Sequence, residues 1–255
     1  MRFLLMNKTN AHNEAGLRPP QELIDGVGRS LGEMKRQGVF RDAAGLRQTN
    51  LGVRIAVRGG VGTVTPGPFG EDHALPAAIC LLRVHTRDEA VGWASRFGAA
   101  LGDADFEIRP LTEPWDLGFG EKPKDLATTR FMIVAKATAA YEAGELPPPP
   151  ARAAVAGVIA EMKGAEVFLG AEVMQPGSRS RRVLRRGATA VVLDGPFAES
   201  KELVGGYVTL ELASMEEALA WAVPYTEVLG ECELDVRPLF EVPELGVLNP
   251  DPDFG

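Results

Sequence analysis

Histidine, cysteine and the larger aromatics are scarce: the 255 residues include 3 His, 2 Cys, 3 Trp and 3 Tyr. His12, His73 and His85 form no His-x-x-x-His spacing and no Cys-x-x-Cys occurs, so the usual zinc constellation is excluded and no metal is expected. Cys80 and Cys232 have Val208 and Ala104 at the equivalent positions of an internal repeat described below. A disulfide framework is therefore not expected, which fits a reducing compartment and a cytoplasmic protein. A basic balance is lacking too: the net charge is −8, against the basic face that nucleic-acid binding needs. The one local exception, Arg179, Arg181, Arg182, Arg185 and Arg186, reads as a solvated hairpin edge. Long apolar runs are missing, since Phe3–Met6 is far too short for a membrane span or a signal segment and reads as a first strand. Gly59-Gly60-x-Gly62 lacks the lysine and the strand-to-helix context of a phosphate loop, and no cofactor is expected.

What the chain does have, it has twice. Gly67-Pro68-Phe69 returns as Gly195-Pro196-Phe197, Glu33-Met34-Lys35 as Glu161-Met162-Lys163, and Arg109-Pro110-Leu111 as Arg237-Pro238-Leu239. The offsets 195 − 67, 161 − 33 and 237 − 109 are all 128, so two copies of one unit follow each other without net insertion. The boundaries read as 1–118 for the first repeat, 119–128 for a linker, 129–246 for the second repeat and 247–255 for a tail.

Each copy opens on an apolar run (Phe3–Met6, Phe131–Val134), passes a Glu-Ala-Gly loop closed by prolines, and enters an amphipathic helix. Leu23, Val27, Leu31 and Met34 form its stripe in the first copy, and Val155, Ile159 and Met162 in the second. A glycine-turned hairpin, the Gly-Pro-Phe loop and another apolar strand follow. Thr86–Glu89 and Ser214–Glu217 fit the capping box of a second helix, whose Trp93 and Trp221 read as core anchors. A last strand closes each copy. The order β-α-β-β-(β)-α-β predicts an α+β class protein with tandem ferredoxin-like domains: antiparallel sheets with helices on one face, pressed together as an internal pseudo-dimer.

The stretch Leu193-Asp194-Gly195-Pro196-Phe197-Ala198-Glu199-Ser200-Lys201-Glu202, ending in Gly205-Gly206-Tyr207, resembles the signature of the YCII-related (DGPF) family. The resemblance implies a dimeric α/β barrel fold, with relatives of similar fold acting on aromatic breakdown products and lactones. Small members of the family often place a histidine at the start of the first helix. Here those positions hold Pro20, Gln21, Glu22 and Pro150, Ala151, Arg152, so that histidine is absent from both copies.

The polar part of the motif supplies the candidate chemistry. Asp194 reads either as a brace of its own turn or as a general base, with Lys201 and Glu202 as further catalytic candidates and His73 as a weaker one. Glu199, Phe197, Tyr207 and Glu142 are candidates for ligand contact. In the first copy Asp194, Lys201 and Glu202 become Pro66, His73 and Ala74, while Gly-Pro-Phe stays, which points to the second copy as the equipped one. The leading expectation is acid–base chemistry on a small carbonyl or phenolic metabolite in an apolar cavity between the sheets. The alternative is a non-catalytic protein that binds a metabolite or docks a partner. Neither nucleic acid nor membrane is an expected partner, and a further homodimer is left open.

Overall fold

A computed structural model describes residues 1–70, 75–197 and 203–241. The first half runs β1 (Arg2–Lys8), α1 (Ala11–Glu14), α2 (Gln21–Arg36), β2 (Phe40–Gly45), β3 (Val53–Arg58), β4 (Val61–Pro66), β5 (Pro76–Val84), α3 (Arg87–Leu101) and β6 (Ala104–Pro110). The second runs β7 (Thr129–Lys136), α4 (Ala139–Glu142), α5 (Pro149–Gly164), β8 (Phe168–Val173), β9 (Arg181–Arg186), β10 (Thr189–Asp194), β11 (Val204–Glu211), α6 (Met215–Leu229) and β12 (Cys232–Pro238). None of the described helices is long and apolar enough to cross a membrane.

Local chemistry explains most boundaries. Thr86 and Ser214 accept the backbone N–H of Glu89 and Glu217 at 3.2 and 3.3 Å. The carboxylates of those glutamates accept the N–H of His85 and Ala213 at 3.0 Å, one residue before the caps, so the cap itself is as the spacing predicts and the return bond is shifted by one residue. Gly102 and Gly230, with φ of 93° and 77°, stop α3 and α6 in a backbone region that side chains disfavour. Strands β2 and β8 are additions to the sequence expectation. Phe40-Arg41-Asp42-Ala43-Ala44-Gly45 and Phe168-Leu169-Gly170-Ala171-Glu172-Val173 lack a clean alternation, and both are outermost strands that need only one buried side.

Among the described residues the strands form two six-stranded antiparallel sheets, ordered β10-β9-β12-β1-β11-β2 and β4-β3-β6-β7-β5-β8. This corrects the expectation that each half closes its own sheet. The β1-α2-β2 unit of the first half lies in the sheet of β9 to β12, and the β7-α5-β8 unit of the second lies in the sheet of β3 to β6. Residues 53–173 therefore supply one whole sheet, while 2–45 and 181–238 supply the other. The apolar runs of β1 and β7 share one inside-outside pattern, so the central slot of either sheet suits either strand.

Three apolar clusters bind these layers. Helices α3 and α5 cover the second sheet through Val57, Leu82, Phe106, Ile133 and Met162. Helices α2 and α6 cover the first through Phe3, Leu5, Met34, Val208 and Val236. The third cluster takes Leu4, Met6 and Tyr207 from one sheet and Ile79, Met132 and Val134 from the other, so the sheets face each other across it. Single bridges, Leu46 to Leu111 and Met174 to Leu239, tie the edges together at both seams. Trp93 and Trp221 pack on their clusters only partly buried.

Candidate functional site

Strands that alternate inward and outward place one row of side chains between the sheets. Beyond Leu4 and Met6 that row on β1 continues to Lys8, and on β12 it runs Leu239, Arg237, Asp235. The inter-sheet space is therefore apolar in the middle and ionic toward its ends, which corrects the expectation of an apolar cavity. Strand exchange makes each ionic cluster a product of both halves.

In the second-half cluster Lys8 Nζ contacts Asp235 Oδ2 at 2.9 Å, with the two side chains 2% and 1% exposed. Arg182 Nε donates to Asp235 Oδ1 at 2.6 Å. Burial by itself would raise the Asp235 pKa, but the Lys8 ammonium and the Arg182 guanidinium outweigh it and hold the carboxyl below its ordinary value. The face of the Arg182 guanidinium lies 4.3 Å over the ring of Phe197, so this motif phenylalanine covers a cation. Arg237, 1% exposed, donates from Nη2 to the Gln175 carbonyl at 2.7 Å and lies 3.7 Å from Glu142 Oε1. Glu142 Oε2 accepts the Gly177 N–H at 2.7 Å. Arg237 Nε and Nη1, Glu142 Oε1 and the Ser180 hydroxyl are buried with no hydrogen-bond partner among the described residues.

The first-half cluster uses the same positions. Glu107 takes the place of Asp235 and contacts Arg54, Arg109 and Lys136 at 3.3, 3.1 and 3.6 Å. Arg54 lies 4.5 Å over Phe69. Here, however, Glu14 is saturated. It accepts from the Thr9 hydroxyl at 3.0 Å, the Thr49 N–H at 3.0 Å and the Thr49 hydroxyl at 2.6 Å. Arg109 donates to the carbonyls of Arg47 and Val204. Burial lowers the pKa of both arginines, opposed by Glu107 and Glu14 for Arg109 and by Glu142 and Asp235 for Arg237.

A groove of about 680 Å³ opens beside the first-half motif loop, lined by Arg54, Arg58, Phe69, Asp105 and Lys136 among others. Its cations are engaged: Arg58 holds both oxygens of Asp105 at 2.8 Å, and Arg54 and Lys136 meet Glu107. The unsatisfied polar atoms concentrate instead around Arg237, and shape without unmet chemistry is the weaker pointer to a site.

The other expected residues fall in different places. Asp194 ends β10 and pairs with Arg181 across the hairpin at 2.7 Å, its side chain 80% exposed. In the first copy the opposed pair is Pro66 and Val53, so the loss of Asp is matched by loss of its Arg. Tyr207 is buried at the seam and donates to Asp42 at 2.5 Å; burial, reinforced by Asp42, pushes its pKa up. Glu199, Lys201, Glu202 and His73 lie outside the described residues. The Arg-rich hairpin is not a solvated edge: Arg182 is built onto Asp235, and Arg185 is buried, donating to Thr226 at 2.8 Å.

The Gly of Gly-Pro-Phe has a steric reason in both copies. A Cβ at Gly195 would lie 2.0 Å from the Gly177 carbonyl oxygen, and one at Gly67 1.9 Å from that of Thr49. What sequence reasoning missed is the set Lys8, Arg54, Glu107, Lys136, Arg182 and Asp235. The signal was available, because Lys8/Lys136, Arg54/Arg182 and Glu107/Asp235 are each 128 apart, charged residues that a solvated face would have no reason to repeat.

No curated protein and no solved structure matches the chain. A family model does: residues 129–238, the stretch from β7 through β12, match the YCII-related domain.

Proposed function

We propose that the chain is a tandem YCII-related protein of the dimeric α/β barrel type, an internal pseudo-dimer that binds a small carbonyl or phenolic metabolite and moves a proton on it. The observation that carries this is the buried Arg237 guanidinium, two of whose nitrogens have no hydrogen-bond partner among the described residues, while its third forms a long ion pair of 3.7 Å with Glu142 Oε1, an oxygen that accepts no hydrogen bond there. A fixed cation held out of water is suited to an oxyanion that develops as a proton leaves. Glu142 takes the proton from a C–H beside a carbonyl, or from a phenolic O–H. The electron pair left behind shifts to the oxygen, whose charge Arg237 holds, and Glu142 returns the proton at the end. Asp194, on the outer edge of the sheet, stays outside this step.

A thermal-shift screen of small 2-oxo acids, phenols and lactones tests binding, since a ligand of the folded state raises Tm. Exchange of the protons beside the carbonyl of a shifting ligand, followed by NMR in deuterated buffer, tests the chemistry. Glu142→Gln is expected to slow that exchange about a hundredfold or more while keeping the thermal shift. A shift without exchange would leave a binding protein, and the absence of a shift from every class would remove the proposal.

A further inference from the structure

The proposed site is unsatisfied in a particular pattern, and the pattern specifies a ligand. Six buried side-chain atoms lack a hydrogen-bond partner among the described residues, and four of them are here: Arg237 Nε and Nη1 and the Ser180 hydroxyl can donate, and Glu142 Oε1 can only accept from a donor. The others are Arg109 Nε and Arg152 Nε. Donors beside a guanidinium call for an anionic oxygen, while a carboxylate oxygen calls for an O–H or N–H. A ligand that meets both needs a negative group and a hydroxyl on one small molecule, because the guanidinium that carries the unmet Nε and Nη1 lies beside Glu142, its third nitrogen 3.7 Å from Oε1.

The first-half cluster shows what fills such a site. There the acceptor is Glu14 and the hydroxyls come from the protein, Thr9 at 3.0 Å and Thr49 at 2.6 Å. The equivalents of Thr9 and Thr49 are Ala137 and Gly177, so both hydroxyls are deleted from the second half. At the third differing position the second half gains one: Gly52, where a Cβ would stand 2.6 Å from Arg109 Cγ, is replaced by Ser180. The N–H that remains on Glu142 is that of Gly177, at 2.7 Å, leaving Oε1 open.

Resting on the site proposed above and deepening it, we infer that the Arg237 cluster is a receptor for one small 2-hydroxycarboxylate per chain. The ligand carboxylate lies against Arg237 and Ser180, and its hydroxyl donates to Glu142 in the place that Thr9 and Thr49 occupy on Glu14. The Arg109 cluster is the same receptor filled by its own side chains and takes no ligand.

Titration calorimetry of the full chain with lactate, glycolate and propionate tests this. One site per chain is expected, with lactate binding at least about tenfold more tightly than propionate, which lacks the hydroxyl. The double variant Ala137→Thr with Gly177→Thr restores the two hydroxyls and is expected to weaken lactate about tenfold or more, with circular dichroism and Tm showing that it still folds. Ser180→Ala, a smaller change, is expected to weaken it several-fold. Equal affinity for propionate, two equivalent sites, or a double variant that folds and binds lactate unchanged would overturn the inference. If phenols or lactones bind while no hydroxycarboxylate does, this inference fails and the proposed function stands; if no class binds, both fail.

Discussion

The clusters around Arg109 and Arg237 use side chains 128 positions apart and differ in how completely they are satisfied. Around Arg109 the carboxylate of Glu14 accepts three protein donors and the guanidinium reaches two backbone carbonyls. Around Arg237, among the described residues, a single N–H serves Glu142, a single carbonyl serves the guanidinium, and the two side chains meet at 3.7 Å. Both arginines are equally buried, so the difference is in hydrogen bonding and not in desolvation. A buried polar group left unmet costs free energy, so a fold tolerates several at one place only where something else supplies the partners. The Arg109 cluster, where Nε alone lacks a hydrogen bond and lies 3.1 Å from Glu107, is the better satisfied and braces the fold, and the Arg237 cluster, with four unmet atoms, is the place to look for a ligand.

The largest expected effect tests whether the two carboxylate hubs are equivalent. Asp235→Asn leaves Lys8 and Arg182 without their buried counter-ion and is expected to cost about 3–5 kcal/mol in urea unfolding. Glu107→Gln, whose contacts are longer, is expected to cost less, about 2 kcal/mol. The pH dependence follows from the sign. The folded pKa of Asp235 lies below the ordinary value, so its stabilisation is fully present above the unfolded pKa of about 4 and is lost as pH falls through the folded pKa. The acid limb of a Tm profile should therefore be flatter in Asp235→Asn than in the parent.

Next come two substitutions that should make the halves respond alike. Gly195→Ala and Gly67→Ala each drive a methyl onto a backbone carbonyl at 2.0 and 1.9 Å, and each is expected to cost about 3 kcal/mol in the same unfolding measurement. A large inequality would show that one motif loop can move aside where the other cannot. Smaller again is Thr49→Gly, which removes a hydroxyl from Glu14 and is expected to cost about 1–2 kcal/mol. That would bring the first cluster partway to the state of the second. The smallest effect concerns the cysteines, which share no repeat position. Burial pushes the Cys80 thiol up to about 12 and Cys232 up to about 11. A thiol reagent at neutral pH should label both slowly in the native protein, with Cys232 first because it is the less buried.

Much of this architecture could be read from the chain. The constant offset of 128, the two capping boxes and the glycine-turned hairpins each follow from short-range chemistry, and the structure contains the corresponding helices and turns. The lodging of β1 and β7 in the opposite sheets could not be read, because Phe3–Met6 and Phe131–Val134 present the same apolar face and either would fill either slot. Lys8 and Asp235 stand 227 residues apart, and a buried ion pair at that range leaves no local pattern. Asp194 and its cross-strand partner Arg181 stand where the first half has Pro66 and Val53, a pairing that the sequence alone does not display. Glu142 was visible as part of a repeated loop, and it became central only once Thr9 and Thr49 were seen to have no counterparts.

The interlocked sheets also set an order of events at the ribosome. Strands β3 to β8 are contiguous, so that sheet has all its members as soon as β8 has emerged. Strand β1 is translated first, yet both its neighbours, β11 and β12, are among the last strands made. Leu4 and Met6 gain their hydrogen-bonded neighbours only once β11 and β12 have been made, and they then meet Ile79, Met132 and Val134 of the other sheet across the shared cluster.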